Sequence, residues 1–464
     1  MKTRSVATCQ SCGARTPRWV GRCPECGEWG SVVEELESRE PSANGPAPDL
    51  QPLPPLDETA CGRLSTGLEE ADRVLGGGLV RGSVLLLAGE PGIGKSTLTL
   101  QAAMLMATHT DVLLVCGEES PTQVAARAGR LDGRSERIRT LADPSLPAVL
   151  AAVESGPDLV VVDSVQTLYD PAIPSAPGSV AQVRECGSRL ARAARDRGTT
   201  LVLVGHVTKD GSVAGPRVLE HLVDVVCAFE GDRGDGVRVL RALKNRFGST
   251  QEAGFFEMTG RGLAGIRDAT SYLLADRCPG LPGSVLGAFV EGRRAFLLEI
   301  QGLVAPAGRQ MARRTAIGVD SSRLPLLVAV LQRRLDLPLS EHDVYVSAVG
   351  GISITEPAAD LAVVCALLSA WSGAALPDDL VAFGEVGLAG EVRQAASADR
   401  RLAEAAAAGF RRAVIPWNTS AEAPAGMTLH RVRHVRDLLD SLGTSELTGL
   451  RNPLQGTAAR ASNT

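Results

Sequence analysis

An apolar run, Ser83 to Ala88, leads straight into Gly89-Glu90-Pro91-Gly92-Ile93-Gly94-Lys95-Ser96-Thr97, and a helical run, Leu98 to Ala107, follows. No other stretch restricts the fold as tightly. GxxxxGK[ST] between a buried strand and a helix wraps a polyphosphate in backbone amides. Glycines at 89, 92 and 94 let the main chain close around the phosphates. Lys95 meets the β- and γ-phosphates, Ser96 holds Mg²⁺, and the helix amino terminus adds its dipole. Residues 89 to 97 are therefore expected to bind ATP.

Further apolar runs fit a sheet built around that strand. Asp158 to Asp163 ends in an acid where a central strand would deliver it beside the phosphates, so Asp163 is expected to organise Mg²⁺. Asp111 to Cys116 runs into Gly117-Glu118-Glu119-Ser120. Hydrolysis needs a carboxylate that deprotonates water, and Glu119 is the expected base with Glu118 as the alternative. Thr199 to Gly205 ends at His206, a candidate sensor of the γ-phosphate. Runs at Val223–Glu230 and Val237–Leu243 add strands, while 121–131, 145–155 and 179–197 read as helices. Strands alternating with helices predict an α/β fold, a mostly parallel sheet covered on both faces.

The chain has 48 basic and 53 acidic residues, so a globally basic nucleic-acid coat is excluded and a local basic site is not. Only four of the cations are lysines: Lys2, Lys95, Lys209 and Lys244. In so arginine-rich a chain, a retained lysine marks a place for a compact ammonium. Lys209 lies in the Gly-containing loop after His206. Lys244 and Arg246 stand one residue apart on an extended segment, so both point to one side and could reach a single acceptor, such as the nucleotide of a neighbouring subunit.

Cys9-x2-Cys12 and Cys23-x2-Cys26 present two pairs of thiolates on tight turns, the donor set of a tetrahedral Zn²⁺ site. Residues 1–33 are too few for a core, so the metal should supply most of their folding energy. The other cysteines are scattered; Cys116 and Cys227 read as buried thiols, and the pattern fits a reducing cytoplasm rather than a disulfide scaffold. Residues 34–58 are Pro-rich and acidic and read as an extended linker. No apolar run reaches the length of a membrane span.

The four-cysteine knuckle, the loop spelled GEPGIGKST, the strand running into Asp163-Ser-Val-Gln-Thr167, and Lys244-Asn-Arg-Phe-Gly248 occur in the order found in the RadA/Sms DNA-repair family, which the chain resembles over essentially its whole length. The resemblance implies a RecA-like ATPase core over 59–270 in a ring-shaped oligomer, a hexamer, acting in homologous recombination. It implies branch migration at joints made by a RecA-type recombinase, on single-stranded and branched DNA. It would send Lys244 and Arg246 into the adjacent ATP site and line the channel with the Lys209 loop.

Residues 271–442 resemble the α+β Lon protease domain. Ser284 to Glu299 and Asp343 to Val349 read as strands, Pro325 to Arg334 and Ala358 to Ala370 as helices. Where that family has its nucleophilic serine this chain has Ala358, and Arg393 follows Gly384-Glu385-Val386 where the catalytic lysine belongs. Alanine cannot attack, and arginine, with a pKa above about 12, cannot serve as a base, so this route to proteolysis is closed. The domain is expected to be a ring-forming platform, with Arg314, Arg323 or Arg393 as duplex contacts. Residues 443–464 are expected to be a disordered tail.

Overall fold

The computed structural model describes residues 5–9, 15–16, 18–29, 32–36, 62–131, 136–206, 216–231, 236–308 and 311–442. Cys12, the side chain of Cys9, Lys209, most of the 34–58 linker and the 443–464 tail lie outside the described residues. The chain divides into two compact units, Met1–Asp57 and Glu58–Thr464. The boundary anticipated near residue 270 falls inside the second.

In the first unit Ser5–Cys9 pairs antiparallel with Arg15–Thr16 on one side and Val32–Leu36 on the other. Among the described residues its core is small: Ala7, Cys23 and Val32, with Val20 packed against them. Such a patch buries little apolar area, so it is a poor source of folding energy.

The second unit holds two large sheets. The first has nine strands in the spatial order Gly262–Gly265, Ala253–Thr259, Arg238–Asn245, Val225–Gly231, Val84–Gly89, Thr200–His206, Leu159–Asp163, Val112–Cys116, Ile138–Leu141. From Val225–Gly231 to Ile138–Leu141 all neighbours are parallel, and the remaining three are antiparallel. The continuous apolar runs follow from burial on both faces. Leu85 and Leu87 join a core under the helices Lys95–Met106 and Pro121–Arg130, whereas Val84 and Leu86 join the opposite core under Leu146–Glu154 and Val180–Arg197. Alternation along one strand thus feeds two layers.

The second sheet runs Arg314–Ile317, His342–Ala348, Arg294–Pro306, Ser284–Glu291, Leu380–Ala382, Arg412–Pro416, Thr428–Val432. Against it lies the helix Asp360–Ser372, apolar and buried over most of its length. One expectation is corrected here. The run Ser284 to Glu299 is two antiparallel strands, Ser284–Glu291 and Arg294–Pro306, because the chain reverses at Gly292, where φ is +62°.

The two sheets share one core. Val237, Val239 and Phe255 of the first pack with Phe289, Phe296 and Leu298 of the second, and the rings of Phe255 and Phe296 meet edge-on at 5.4 Å. Glu70, only 1% exposed, accepts the amide of Phe255 at 2.9 Å and an ion pair from Arg294. Among the described residues no helix is long and apolar enough to cross a membrane.

Candidate ATP-hydrolysing site

Gly89, His206, Asp163 and Cys116 lie at the carboxyl ends of four neighbouring parallel strands, His206 in register with Gly89 and Asp163 with Cys116. In an open α/β sheet this rim is where ligands bind. The turn onto the helix Lys95–Met106 passes through Gly94 at φ +114°, and a Cβ there would sit 2.9 Å from Met258 Cε. Only glycine fits such a backbone. The first amides of that helix, at Lys95, Ser96 and Thr97, face the loop and form an anion cradle.

An ammonium has three donors, and Lys95 uses all of them. Its Nζ donates to Gly89 O (2.9 Å) and Glu90 O (2.8 Å) and lies 3.1 Å from His206 Nδ1. Because Lys95 can only donate, His206 Nδ1 accepts and the proton sits on Nε2, which donates to Glu118 Oε1 at 2.7 Å. One imidazole therefore joins the phosphate-binding lysine to a carboxylate. Burial lowers the Lys95 pKa to about 8, against the pull of Asp163, Glu118 and Glu90, which raise it. Glu118 is also partly desolvated, which raises its pKa, but hydrogen bonds from Ser164 and His206 outweigh this and hold it below the usual carboxylate range.

Asp163 is pushed above the ordinary aspartate range, chiefly by burial, with a hydrogen bond from Ser96 opposing the shift. Its Oδ1 is buried with no hydrogen-bond partner. A buried orphan carboxylate oxygen beside a hydroxyl suits an oxygen-seeking dication. Ser96 and Asp163 could thus hold Mg²⁺, which when bound would neutralise charge on the β- and γ-phosphates.

Of the two adjacent glutamates, it is Glu118 that the structure joins to His206 and Lys95. Glu119, the expected base, is instead ion-paired to Arg127 of the following helix. That helix opens with a capping box, Ser120 and Gln123 bonding each other's backbone amides, which turns the chain so that neighbouring side chains diverge.

Lys244 and Arg246 lie elsewhere. Lys244 pairs with Val226, which is in register with Leu86, so it sits about 10 Å back along the strands from the Gly89 level at roughly 3.3 Å per residue. Its Nζ donates to Glu220 O (2.6 Å) and Val223 O (2.8 Å), and Arg246 reaches Asp224 at 3.0 Å. Both cations do converge on one place, the segment 220–224 of their own chain.

At the first unit's turn, Gly27 N donates to Cys23 O at 2.9 Å and Gly27 adopts φ +75°. Cys23 is buried there and Cys26 exposed. Thiols on such a turn, at the end of a chain segment whose other pair begins at Cys9, have the donor chemistry of Zn²⁺. Trp19 and Trp29 are 57% and 75% exposed, Trp29 under the guanidinium of Arg22.

In the carboxyl-terminal sheet, Ala358 is buried in a short turn ahead of the long helix, and its carbonyl accepts Gly384 N at 2.9 Å. Flanking it, Glu356 forms two hydrogen bonds with the buried Arg401, at 3.0 and 2.6 Å. Arg323 is ion-paired to Asp360, Arg314 donates to backbone carbonyls of Leu339 and His342, and Arg393, 58% exposed, pairs with Glu391.

Sequence reasoning passed over Ser164, Arg127 and Asp224. Ser164 carried a signal, since it directly follows the strand-ending acid. Arg127 and Asp224 carried none, because their partners are distant in sequence or indistinguishable by type.

The geometry defines a RecA-like P-loop ATPase with a separate cysteine knuckle. Two family models agree with the ATPase and the knuckle. A family model described as an AAA domain matches residues 49–212, and one described as a rubredoxin metal binding domain, of the zinc-ribbon type, matches residues 8–34. The protein named DNA repair protein RadA of Pseudomonas aeruginosa is 43% identical over 449 residues, 95% of this chain and 99% of that protein. Its namesake in Bacillus subtilis is 44% identical over 426 residues, 89% of this chain and 93% of its own. A KaiC-like protein of Pyrococcus horikoshii of known structure gives a TM-score of 0.38 at 19% identity, over 44% of this chain and 99% of that one. The chain belongs to the RadA family of DNA repair proteins. Its cofactors are ATP, Mg²⁺ and, in the ribbon, Zn²⁺.

Proposed function

We propose that the chain is a DNA-dependent ATPase of homologous recombination and DNA repair, working as a ring-shaped translocase that promotes branch migration. The relatives' name, DNA repair protein, supports the process. The observation that carries the motor reading is the distance of the Lys244–Arg246 fork from its own ATP loop, at the other end of the same strands. Two cations on one segment, out of reach of the chain's own phosphates, suit the γ-phosphate of a neighbour in a ring, a hexamer. In this scheme Glu118 is the base and His206 the sensor. Glu118 takes a proton from water as the water oxygen bonds to the γ-phosphorus. The bond from that phosphorus to the β–γ bridging oxygen breaks, and ADP keeps the electron pair. Lys95 and the amides of 89–97 hold the phosphates throughout, while Lys244 and Arg246 meet the charge that develops.

Single-stranded and branched DNA would be the track, gripped by the Lys209 loop, with the fork's Lys244 and Arg246 responding to it. A RecA-type recombinase would be the partner that makes the joints. The domains are read as 1–33 ribbon, 34–58 linker, 59–270 ATPase, 271–442 Lon-like platform and 443–464 tail. Ala358 and Arg393 remove the protease alternative.

A second reading rests on one observation. Lys244 already donates to two carbonyls of its own chain, as a fork of purely internal use would. The protein would then be an ATP-gated scaffold for DNA and recombinase. Unwinding of a forked substrate separates the two: the motor displaces a strand only with ATP hydrolysis, and the scaffold binds without displacing it. Hydrolysis indifferent to single-stranded DNA would sink the motor reading.

A further inference from the structure

Resting on the assignment of Glu118 as base, we infer that Ser164 is a positioning residue for hydrolysis, fixing which oxygen of Glu118 receives the proton from water. The carboxylate is gripped unequally. Ser164 Oγ donates to Oε1 at 2.5 Å, and His206 Nε2 donates to the same Oε1 at 2.7 Å. Oε2 receives no hydrogen bond among the described residues. A carboxylate held by one oxygen with two donors cannot swing about its last bond without losing both. Oε1 is thereby occupied, and Oε2 is the atom left with its lone pairs free for a water.

The grip is itself built into the sheet. Ser164 is wholly buried, directly after Asp163 at the strand end. Its carbonyl accepts the Thr167 hydroxyl at 2.7 Å, which fixes the turn that aims Oγ. On the other side, the amides of Gly117 and Glu118 donate to Asp163 O at 2.8 and 3.3 Å. Gly117 must lack a side chain, since a Cβ there would lie 1.8 Å from Thr167 Oγ1. The segment bearing Glu118 and the segment bearing Ser164 are therefore pinned by main-chain and side-chain bonds together. His206 can let go when Lys95 turns to a phosphate; Ser164, wholly buried in a turn held by Thr167, keeps the carboxylate aimed.

The test uses the full-length protein with MgATP, comparing steady-state turnover and affinity for a fluorescent nucleotide. Ser164→Ala is expected to lower kcat about ten- to hundredfold, the worth of a hydrogen bond to a charged group, with KM and nucleotide affinity within about threefold of wild type. Ser164→Thr, which keeps the hydroxyl, is expected to restore turnover. Ser164→Cys matches serine closely in size but donates weakly, and is expected to be as slow as Ala while folding normally. In a Glu118→Gln background, followed by single-turnover cleavage of labelled ATP, Ser164→Ala is expected to cost nothing further. Unchanged kcat in both Ser164→Ala and Ser164→Cys would overturn the inference. So would an equal loss with and without Glu118. If Glu118→Gln itself hydrolyses at the wild-type rate, the base assignment fails; if it is dead while Ser164→Ala is active, the assignment stands and the role of Ser164 falls.

Discussion

Nucleotide affinity should weaken as pH rises through 8, and Lys95 is the reason. Without phosphates nearby, burial holds the pKa of this ammonium at about 8, against the attraction of Asp163, Glu118 and Glu90. Polyphosphate oxygens beside it favour the charged form and raise that value. The bound state then carries more protons than the free state, so binding takes up protons and loses strength once pH passes the free pKa. With free Lys95 half protonated at pH 8, binding there should take up about half a proton, and at pH 7 about a tenth. Affinity for MgADP or a non-hydrolysable ATP should fall roughly twofold from pH 7 to 8 and roughly fivefold from pH 8 to 9. Titration calorimetry in two buffers of different ionisation enthalpy reads the proton count directly, and Lys95→Arg, charged throughout this range, should show neither effect. A flat profile for the wild type, or the same weakening in Lys95→Arg, would refute the reasoning.

Three other outcomes follow from the packing and the metal chemistry. Arg294→Met leaves the buried Glu70 carboxylate with Phe255 N and the Arg73 guanidinium, 3.3 Å away, as its partners, and should destabilise by about 1.5–3 kcal/mol in urea unfolding, the worth of a hydrogen bond to a charged group. Glu70→Gln added to it should recover most of that, and no recovery would show that the charge was not the cause. Stripping zinc with a chelator, or Cys23→Ser, should abolish the near-ultraviolet signal of Trp19 and Trp29 while basal ATPase persists, since the ribbon is a separate unit; loss of both together would contradict this. Casein degradation should be undetectable in the wild type and in Ala358→Ser, because Arg393 cannot take the serine proton; cleavage by Ala358→Ser would disprove it.

The parallel core was legible because strands buried on both faces must be continuously apolar, and Val84 to Ala88, Leu159 to Val162 and Leu201 to Val204 all are. Ile138–Leu141 was not, since it is a polar edge strand with neither residue period nor bulk to mark it. The hairpin at Gly292 hid inside a run whose two halves are both β-like. The joining of the two sheets into one core was invisible, as Phe255 meeting Phe296 depends on contacts remote in sequence. In the site, the phosphate loop and strand-ending Asp163 were readable because spacing alone delivers them. The choice between Glu118 and Glu119 was not. It turns on Arg127, a helix away, and on two donors, His206 and Ser164, that reach Glu118 only once three strands lie side by side.

Mixing two inactive proteins tests most directly whether the ATP site is shared between neighbours. Lys95→Ala keeps the fork but cannot hold phosphates; Lys244→Ala keeps the phosphate loop but has lost the lysine of the fork. With single-stranded DNA present, each alone should be nearly inactive, and a remixed assembly should regain hydrolysis wherever a Lys95→Ala subunit offers its fork to a Lys244→Ala loop. A mixture no more active than its parents, with mixed assemblies shown to form, would contradict a site completed from the adjacent chain.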